Sequence, residues 1–401
     1  MPEPKSSEPP AWFLWFVLVC LVILVRLFVF LLMQAYAFMF LLANLNPQIR
    51  VIQDISEARR VLKLSSSKED PQKSQFMVTR LGIDNDLTTS HFSVPTKELR
   101  EQENLAKKSD EQWIVLAEAA VGYVTDTLST LDHGEAAPLR DFVRCFVFRM
   151  TVLKMYPNSS ASPTYTDLLV ITGSSETKEL MRKRSVLLSR LHTVFGLDLG
   201  TQTTTQPSRL RCLLATYDSM EKVVFRGFLE LSFRHTGKGA LKSPLRRFLQ
   251  RSDKAEFERE FFAHHFSMKD IINETFRLYP PTARILRETW GGKVEVDVEY
   301  IHRDRKSWGD DALCYDPRRW HVGRANQNAF IPFDTGIDLG TTEAVMGPRM
   351  LAILIAALAQ TADHFNLEGE ESEDVLKNSE PLQTHRRAYL DLILRRKSRW
   401  V

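Results

Sequence analysis

Glu274 and Arg277 stand three residues apart in a segment with helical periodicity, so they share a helix face and can pair. Such pairs are common on helix surfaces and by themselves specify no chemistry. Asp218 and Ser219 put a carboxylate beside a hydroxyl, a combination also found on many solvated helix turns. His264 and His265 tempt a reading as metal ligands. On one helix, however, adjacent residues point about 100° apart, and no partner is spaced for shared ligation, so packing or surface histidines are expected and no metal site. The four cysteines, Cys20, Cys145, Cys212 and Cys314, are widely separated and include no CxxC pair. That pattern is neither a zinc knuckle nor a disulfide framework, and it fits free thiols in a reducing compartment. The run Gly196-Leu197-Asp198-Leu199-Gly200 is too short, and lacks the strand-to-helix setting, for a nucleotide fingerprint.

The elements that must position these groups are mainly helical, with small β-sheets. Apolar periodicity predicts helices over 110–131, where Trp113, Leu116, Ala117, Ala120 and Val124 form a stripe, and over 139–154, 178–195, 212–233, 255–279 and 344–362. Residues 46–75 read as a linker and a first helix that ends in a polar cluster. Strands are expected at 76–81 and at 289–300, where Val294, Val296, Val298 and Tyr300 alternate. An acidic loop at 368–374 and a basic tail, Arg395-Arg396-Lys397, complete the chain, and there is no internal repeat. With 401 residues, 44% hydrophobic and 26% charged, the composition is that of a globular protein able to bury a large core. A net charge of +3 implies no nucleic-acid partner.

Residues 11–45 are almost wholly apolar, interrupted by Arg26 and Gln34. A span needs about 20 apolar residues, so this run exceeds one straight crossing. It is also too long for a signal peptide and lacks the small-residue cleavage site. A central arginine would cost about 2.5–3.5 kcal/mol. The expectation is therefore one tilted span with Arg26 off-centre or a span followed by an interfacial segment, with a folded-back hairpin as the alternative. Glu3, Lys5 and Glu8 precede the run, while Arg50, Arg59, Arg60 and Lys63 follow it. The positive-inside bias then places the body in the cytoplasm, and the sequons at Asn158 and Asn273 stay unmodified. The expected organisation is a membrane anchor over 1–45 and a body over 46–401.

One resemblance organises the rest. A helix carrying Glu274 and Arg277, then Tyr279-Pro280-Pro281, Ile301-His302-Arg303-Asp304, Trp308-Gly309-Asp310-Asp311, Pro317-Arg318-Arg319-Trp320 and the segment from Phe330 to Gly340 follow in order. Together they resemble the C-terminal third of a cytochrome P-450. The motif-bearing part is 210–362. The resemblance implies a cytochrome P-450-like fold behind an N-terminal transmembrane helix, anchored as a single pass in the endoplasmic-reticulum membrane. It implies that Glu274, Arg277 and Arg319 form a buried network beside the haem loop. It places Arg287 where family members hold a haem propionate. Ala215-Thr216-Tyr217-Asp218-Ser219 resembles the family's oxygen-groove motif, which makes Asp218 and Ser219 the candidate catalytic pair for proton delivery; Thr216 stands in place of a glycine. The family's Trp-x-x-x-Arg helix is not matched, since Trp113 is followed four residues later by Ala117.

The departure that matters lies after Phe333. In the family this loop supplies a cysteine thiolate to haem iron. Counting from Phe330, that position is Gly340, and Asp334 and Asp338 add carboxylates that oppose an anionic porphyrin. No cofactor is expected, or haem if a working enzyme persists. Leu278-Tyr279-Pro280-Pro281 with Trp308-Gly309-Asp310-Asp311 looks most like fungal secondary-metabolism members of the family. The leading expectation is a membrane-anchored member that binds a hydrophobic biosynthetic intermediate and guides a redox-neutral cyclisation or isomerisation. The alternatives are an active haem monooxygenase served by a reductase and a non-catalytic scaffold for other biosynthetic enzymes.

Overall fold

Apolar faces and capping residues set the helix limits in the computed structural model, which describes residues 24–29, 31–34, 49–64, 110–129, 135–155, 209–234, 238–261, 265–289, 292–321, 323–332, 340–385 and 388–397. Strand β1 (Arg50–Ile52) and helix α1 (Ile55–Leu64) come first, followed by α2 (Asp110–Ser129), β2 (Ala136–Pro138) and α3 (Leu139–Met155). Helix α4 (Arg209–Leu229) runs into a π-helical turn, Glu230–Arg234, and then come α5 (Lys238–Arg251), α6 (Lys254–Glu258) and α7 (Met268–Leu278). Strands β3 (Arg284–Thr289) and β4 (Gly292–Asp297) lead to the short helices α8 (Val298–Arg303), α9 (Arg305–Trp308) and α10 (Arg318–His321). Helix α11 (Gly340–Thr361), β5 (Phe365–Glu368), α12 (Ser372–Lys377) and β6 (Ile393–Arg396) close the order. Among the described residues the chain is mostly helical with two three-stranded sheets, ordered β1-β4-β3 and β2-β6-β5.

Residues Met1–Arg50 with Trp290–Lys293 form one compact unit, and the remainder forms a second. In the first, residues 24–29 and 31–34 are helical and exposed. The rest of the apolar run at 11–45 lies outside the described residues. Among the described residues, no helix is long and apolar enough to cross a membrane. The expected helix at 178–195 and strand at 76–81 also lie outside them.

Among the described residues, two cores organise the second unit. The larger draws Trp113, Phe146, Phe225, Phe248, Ile272 and Leu354 from α2, α3, α4, α5, α7 and α11. The stripe expected on the first of these is buried as a whole, from Trp113 to Val124. The smaller joins Ile52, Val61, Ile285, Val296, Ile301, Trp308 and Ile331. Helix α7 lies between the two in sequence and in bonding. It faces the larger core with Met268, Ile271, Ile272, Phe276 and Leu278.

Several expected boundaries are corrected. The single helix over 255–279 is two. Asp253 caps α6 by accepting from the Glu256 amide, and the chain then turns through a β-bridge between Glu260 and Ser267. A capping box of Ser267 and Asp270 starts α7 afresh, because each side chain accepts from the other's backbone amide. His265 therefore sits in the turn, with φ of 54°, and not on a helix. Helix α7 stops at Tyr279 because the following prolines disfavour helical geometry before them. The expected strand over 289–300 ends at Asp297, whose side chain accepts from the Tyr300 amide and caps α8. The acidic loop holds a short helix, with Glu373 and Asp374 in its first turn. The basic tail is the central strand of its sheet, where Arg395 Nε meets Glu368 Oε2 at 2.7 Å.

Helices meet closely at Gly227. A Cβ there would meet Ile355 Cδ1 of α11 at 2.5 Å and Thr275 Cγ2 of α7 at 3.1 Å. The substitution Gly227→Val is expected to destabilise the body by about 1–3 kcal/mol through overpacking, read as a lower urea midpoint. An unchanged midpoint would show that α4 and α11 can part freely.

Candidate functional site

The Arg277 guanidinium is fully buried on the face of α7 turned away from the larger core's apolar side chains, so every N–H needs a partner. Glu274, one turn earlier on the same face, supplies a bidentate one: Arg277 Nε donates to Oε2 at 2.9 Å and Nη2 to Oε1 at 2.8 Å. The remaining donors cross to the carbonyls of His302 (2.9 Å), Ala312 (2.5 Å) and Cys314 (3.1 Å). The Glu274 carboxylate also accepts from the Asp316 amide and from Trp320 Nε1, both at 3.0 Å. Arg319, buried on α10, brings Nε to 3.6 Å from Glu274 Oε1. Its Nη1 donates to the Trp308 carbonyl and to Asp311 Oδ1, each at 3.0 Å. Burial alone would lower the Arg319 guanidinium, but the Asp311 hydrogen bond and the Glu274 charge hold it above its ordinary value. The structure thus brings Glu274, Arg277 and Arg319 together in one buried cluster.

The same network fixes the chain up to Pro332. His302 is fully buried, and its Nε2 accepts from the Ile331 amide at 2.7 Å. Its Nδ1 therefore carries the proton and donates to the Arg277 carbonyl at 3.2 Å. Burial, reinforced by the neighbouring Arg277 charge, pushes the imidazole down to about 3, so it is neutral at physiological pH. Phe330 stacks on the His302 ring at 5.6 Å and meets Trp320 edge-on at 4.6 Å. From α1, Arg59 donates to the carbonyls of Asn328 (2.6 Å) and Gln327 (2.9 Å). Two arginine-led clamps and an aromatic stack thus fix the chain up to Pro332.

The remaining candidates divide. Arg287 lies on β3 and is buried, with Nη1 donating to the Leu286 carbonyl at 3.0 Å, so it is not a solvated strand arginine. Asp218 and Ser219 fall on α4 as expected, but the surroundings of their side chains lie outside the described residues, as do Asp334 and Asp338. Gly340 is the first residue of α11. Ala117, four residues after Trp113, is buried in the core. The cations at the Trp113 ring come from elsewhere: Lys154 Nζ lies 3.3 Å from its centroid and Arg349 Cζ 4.8 Å. Trp113 thus ties α2 to α3 and α11.

Three features escape sequence reasoning. The role of His302 was hidden because its partners lie 25 and 29 residues away. The same holds for Glu221, buried on α4 against Arg140 at 3.3 Å and Arg144 at 3.7 Å. The expectation that His265 lacks co-ligands is also corrected, since Glu260, His265 and His321 bring ligand atoms within 4.8 Å of one another. Helical spacing could not reveal this, because His265 sits in a turn.

No protein-family model matches the chain. Among curated proteins it is 36% identical over 104 residues to a cytochrome P-450 of Panax ginseng, covering 20% of each. It is 25% identical over 179 residues to a probable cytochrome P-450 of Drosophila melanogaster, covering 39% of this chain and 33% of that protein. It is 30% identical over 122 residues to secologanin synthase 2 of Catharanthus roseus, covering 26% and 23%. The chain thus spans about a fifth to a third of the length of these relatives. They support a cytochrome P-450 family, and the mostly helical body with small sheets fits that fold.

Such relatives imply haem as the family cofactor. The described residues do not fit a thiolate-bound haem. Gly340 offers no ligating atom, and Cys145 is buried in the larger core, where desolvation and the Asp141 charge push its thiol up to about 12. Cys314 is exposed, and its carbonyl is held by Arg277 on the stretch before Trp320. The side chains of Cys20 and Cys212 lie outside the described residues.

Replacing Glu274 with Ala leaves two buried guanidinium groups short of their anion, and a loss of about 3–5 kcal/mol is expected in chemical denaturation. A loss under about 1 kcal/mol, the size typical of an exposed pair, would show that water reaches the network. His302 gives a pH signature. The unfolded chain protonates it near 6.5, whereas the folded chain resists until about 3. Its contribution to stability is therefore complete above about 6.5 and is lost as pH falls towards about 3, by at most about 1.4 kcal/mol per unit. Urea midpoints from about pH 4 to 7 should fall less steeply for His302→Asn than for the wild type; equal slopes would contradict the buried neutral imidazole.

Proposed function

We propose that this chain keeps the scaffold of a cytochrome P-450 but not its thiolate-dependent oxygen activation. In this reading it binds a hydrophobic biosynthetic intermediate in the body of the fold. The observation that carries the reading is a contrast within one short stretch. The Glu274–Arg277–Arg319 network and the His302–Ile331 clamp are in place, while the position they would serve holds Gly340. Selection for a folded body, without a metal ligand, accounts for both.

A redox-neutral step such as cyclisation or isomerisation suits this arrangement, since holding a flexible substrate in a reactive conformation accelerates it by orientation alone. Asp218 and Ser219 on α4 are the polar groups assigned to proton transfer in that step. The apolar run at 11–45 supports an endoplasmic-reticulum anchor with the body in the cytoplasm, beside other biosynthetic enzymes of the same membrane. The buried guanidinium of Arg287 favours a second reading, an active monooxygenase that holds haem through another ligand and draws electrons from a reductase.

A carbon-monoxide difference spectrum of the reduced, purified full chain separates the two. No haem Soret peak, whether of thiolate type or of another ligand, is expected from the wild type, even after expression with excess haem precursor. Such a peak would overturn the leading reading. In a host that makes the product, Asp218→Asn is expected to lower its formation about 10²–10⁴-fold, the usual contribution of a positioned acid or base. An unchanged product profile would remove Asp218 from catalysis.

A further inference from the structure

Away from the altered loop, the turn before α7 and the end of α10 converge on three ligand-bearing side chains. Glu260 and Ser267 form an antiparallel β-bridge, the Phe261 amide donates to the Phe266 carbonyl at 2.8 Å, and the His265 amide donates to the Phe261 carbonyl at 3.1 Å. This framework holds His265 at a positive φ and sets its Nδ1 3.0 Å from Glu260 Oε1. From the other side His321, the last residue of α10, places Nε2 3.9 Å from Glu260 Oε2. The two imidazoles face each other at 6.3 Å between centroids, with their planes 31° apart.

We propose that Glu260, His265 and His321 form a binding site for a divalent transition-metal ion, zinc in the first instance, with water completing the coordination. Two imidazoles and one carboxylate are a donor set that zinc favours, and bonds of about 2.0–2.2 Å require neighbouring tetrahedral donors to sit about 3.4 Å apart. The separations of 3.0 and 3.9 Å straddle that value. The side chains are 70%, 40% and 42% exposed for His265, Glu260 and His321, so small rotations close the set without disturbing a core. The same exposure leaves a coordination position open to solvent. A bound ion would brace the entry of α7, which carries Glu274 and Arg277, to the end of α10, which carries Arg319. Metal binding would then raise the stability of the body by mass action on the folded state.

The test uses the full chain without an affinity tag, stripped with a chelator and dialysed against zinc chloride. One tightly retained zinc per chain is expected, with a higher melting temperature than the stripped protein. Substitution of cobalt for zinc should give the visible absorption bands of a tetrahedral nitrogen–oxygen site. The double variant His265→Ala/His321→Ala should bind at least about tenfold more weakly, because two of three protein donors are gone, and it should lose the thermal shift. Glu260→Gln, which keeps size while removing the charge, serves as the second variant and should weaken binding in the same direction. Retention equal in wild type and variants, or no retention by the wild type, overturns the proposal.

Discussion

The buried Arg277 guanidinium is the constraint from which the arrangement of the body follows. A fixed positive charge cannot remain in a dry interior without an anion and a full set of acceptors. Glu274 supplies the anion from the same helix face, and the carbonyls of His302, Ala312 and Cys314 supply the rest from a different part of the chain. The larger core holds α7 by its apolar face. The charged face then dictates where the segment from α8 to α10 must lie. The larger core and the segment from α8 to α10 are thus joined by buried polar bonds as well as by apolar contact.

That bond propagates outward. Arg319 and Trp320 reach the Glu274 carboxylate from α10, and His302 passes the restraint from the Arg277 carbonyl to the Ile331 amide. The chain therefore arrives at Pro332 from a fixed direction, with Phe330 seated between His302 and Trp320. In a haem-thiolate protein this accuracy would serve to aim a sulfur at iron. Helix α11, which begins at Gly340, packs against α2 and α4.

Burial decides what the other charged groups can do. Arg287 faces inward, which keeps an anion-binding role open to it. Cys145 is among apolar side chains, where the thiolate is disfavoured and the sulfur acts as a packing atom. Glu260, His265 and His321 are exposed, so their charges are cheap and their side chains are free to rearrange round an ion. The same residue types thus take structural, inert or ligand-binding roles according to how much water reaches them.

Patterns of local spacing settled much of this in the amino-acid sequence alone. The 3.6-residue stripe from Trp113 to Val124 buries as a unit, the three-residue interval of Glu274 and Arg277 makes a pair, and Gly340 lacks a donor in any conformation. Short-range energetics carry those facts, so no fold is needed to read them. Capping lay at the edge of legibility: Ser267 and Asp270 start a new helix inside what periodicity shows as a single one. Tertiary structure alone decided the partners of His302, the cations over Trp113 and the meeting of His265 with His321. Each joins residues that only a folded chain brings into contact, and nothing in their separate neighbourhoods encodes the direction from which the partner comes.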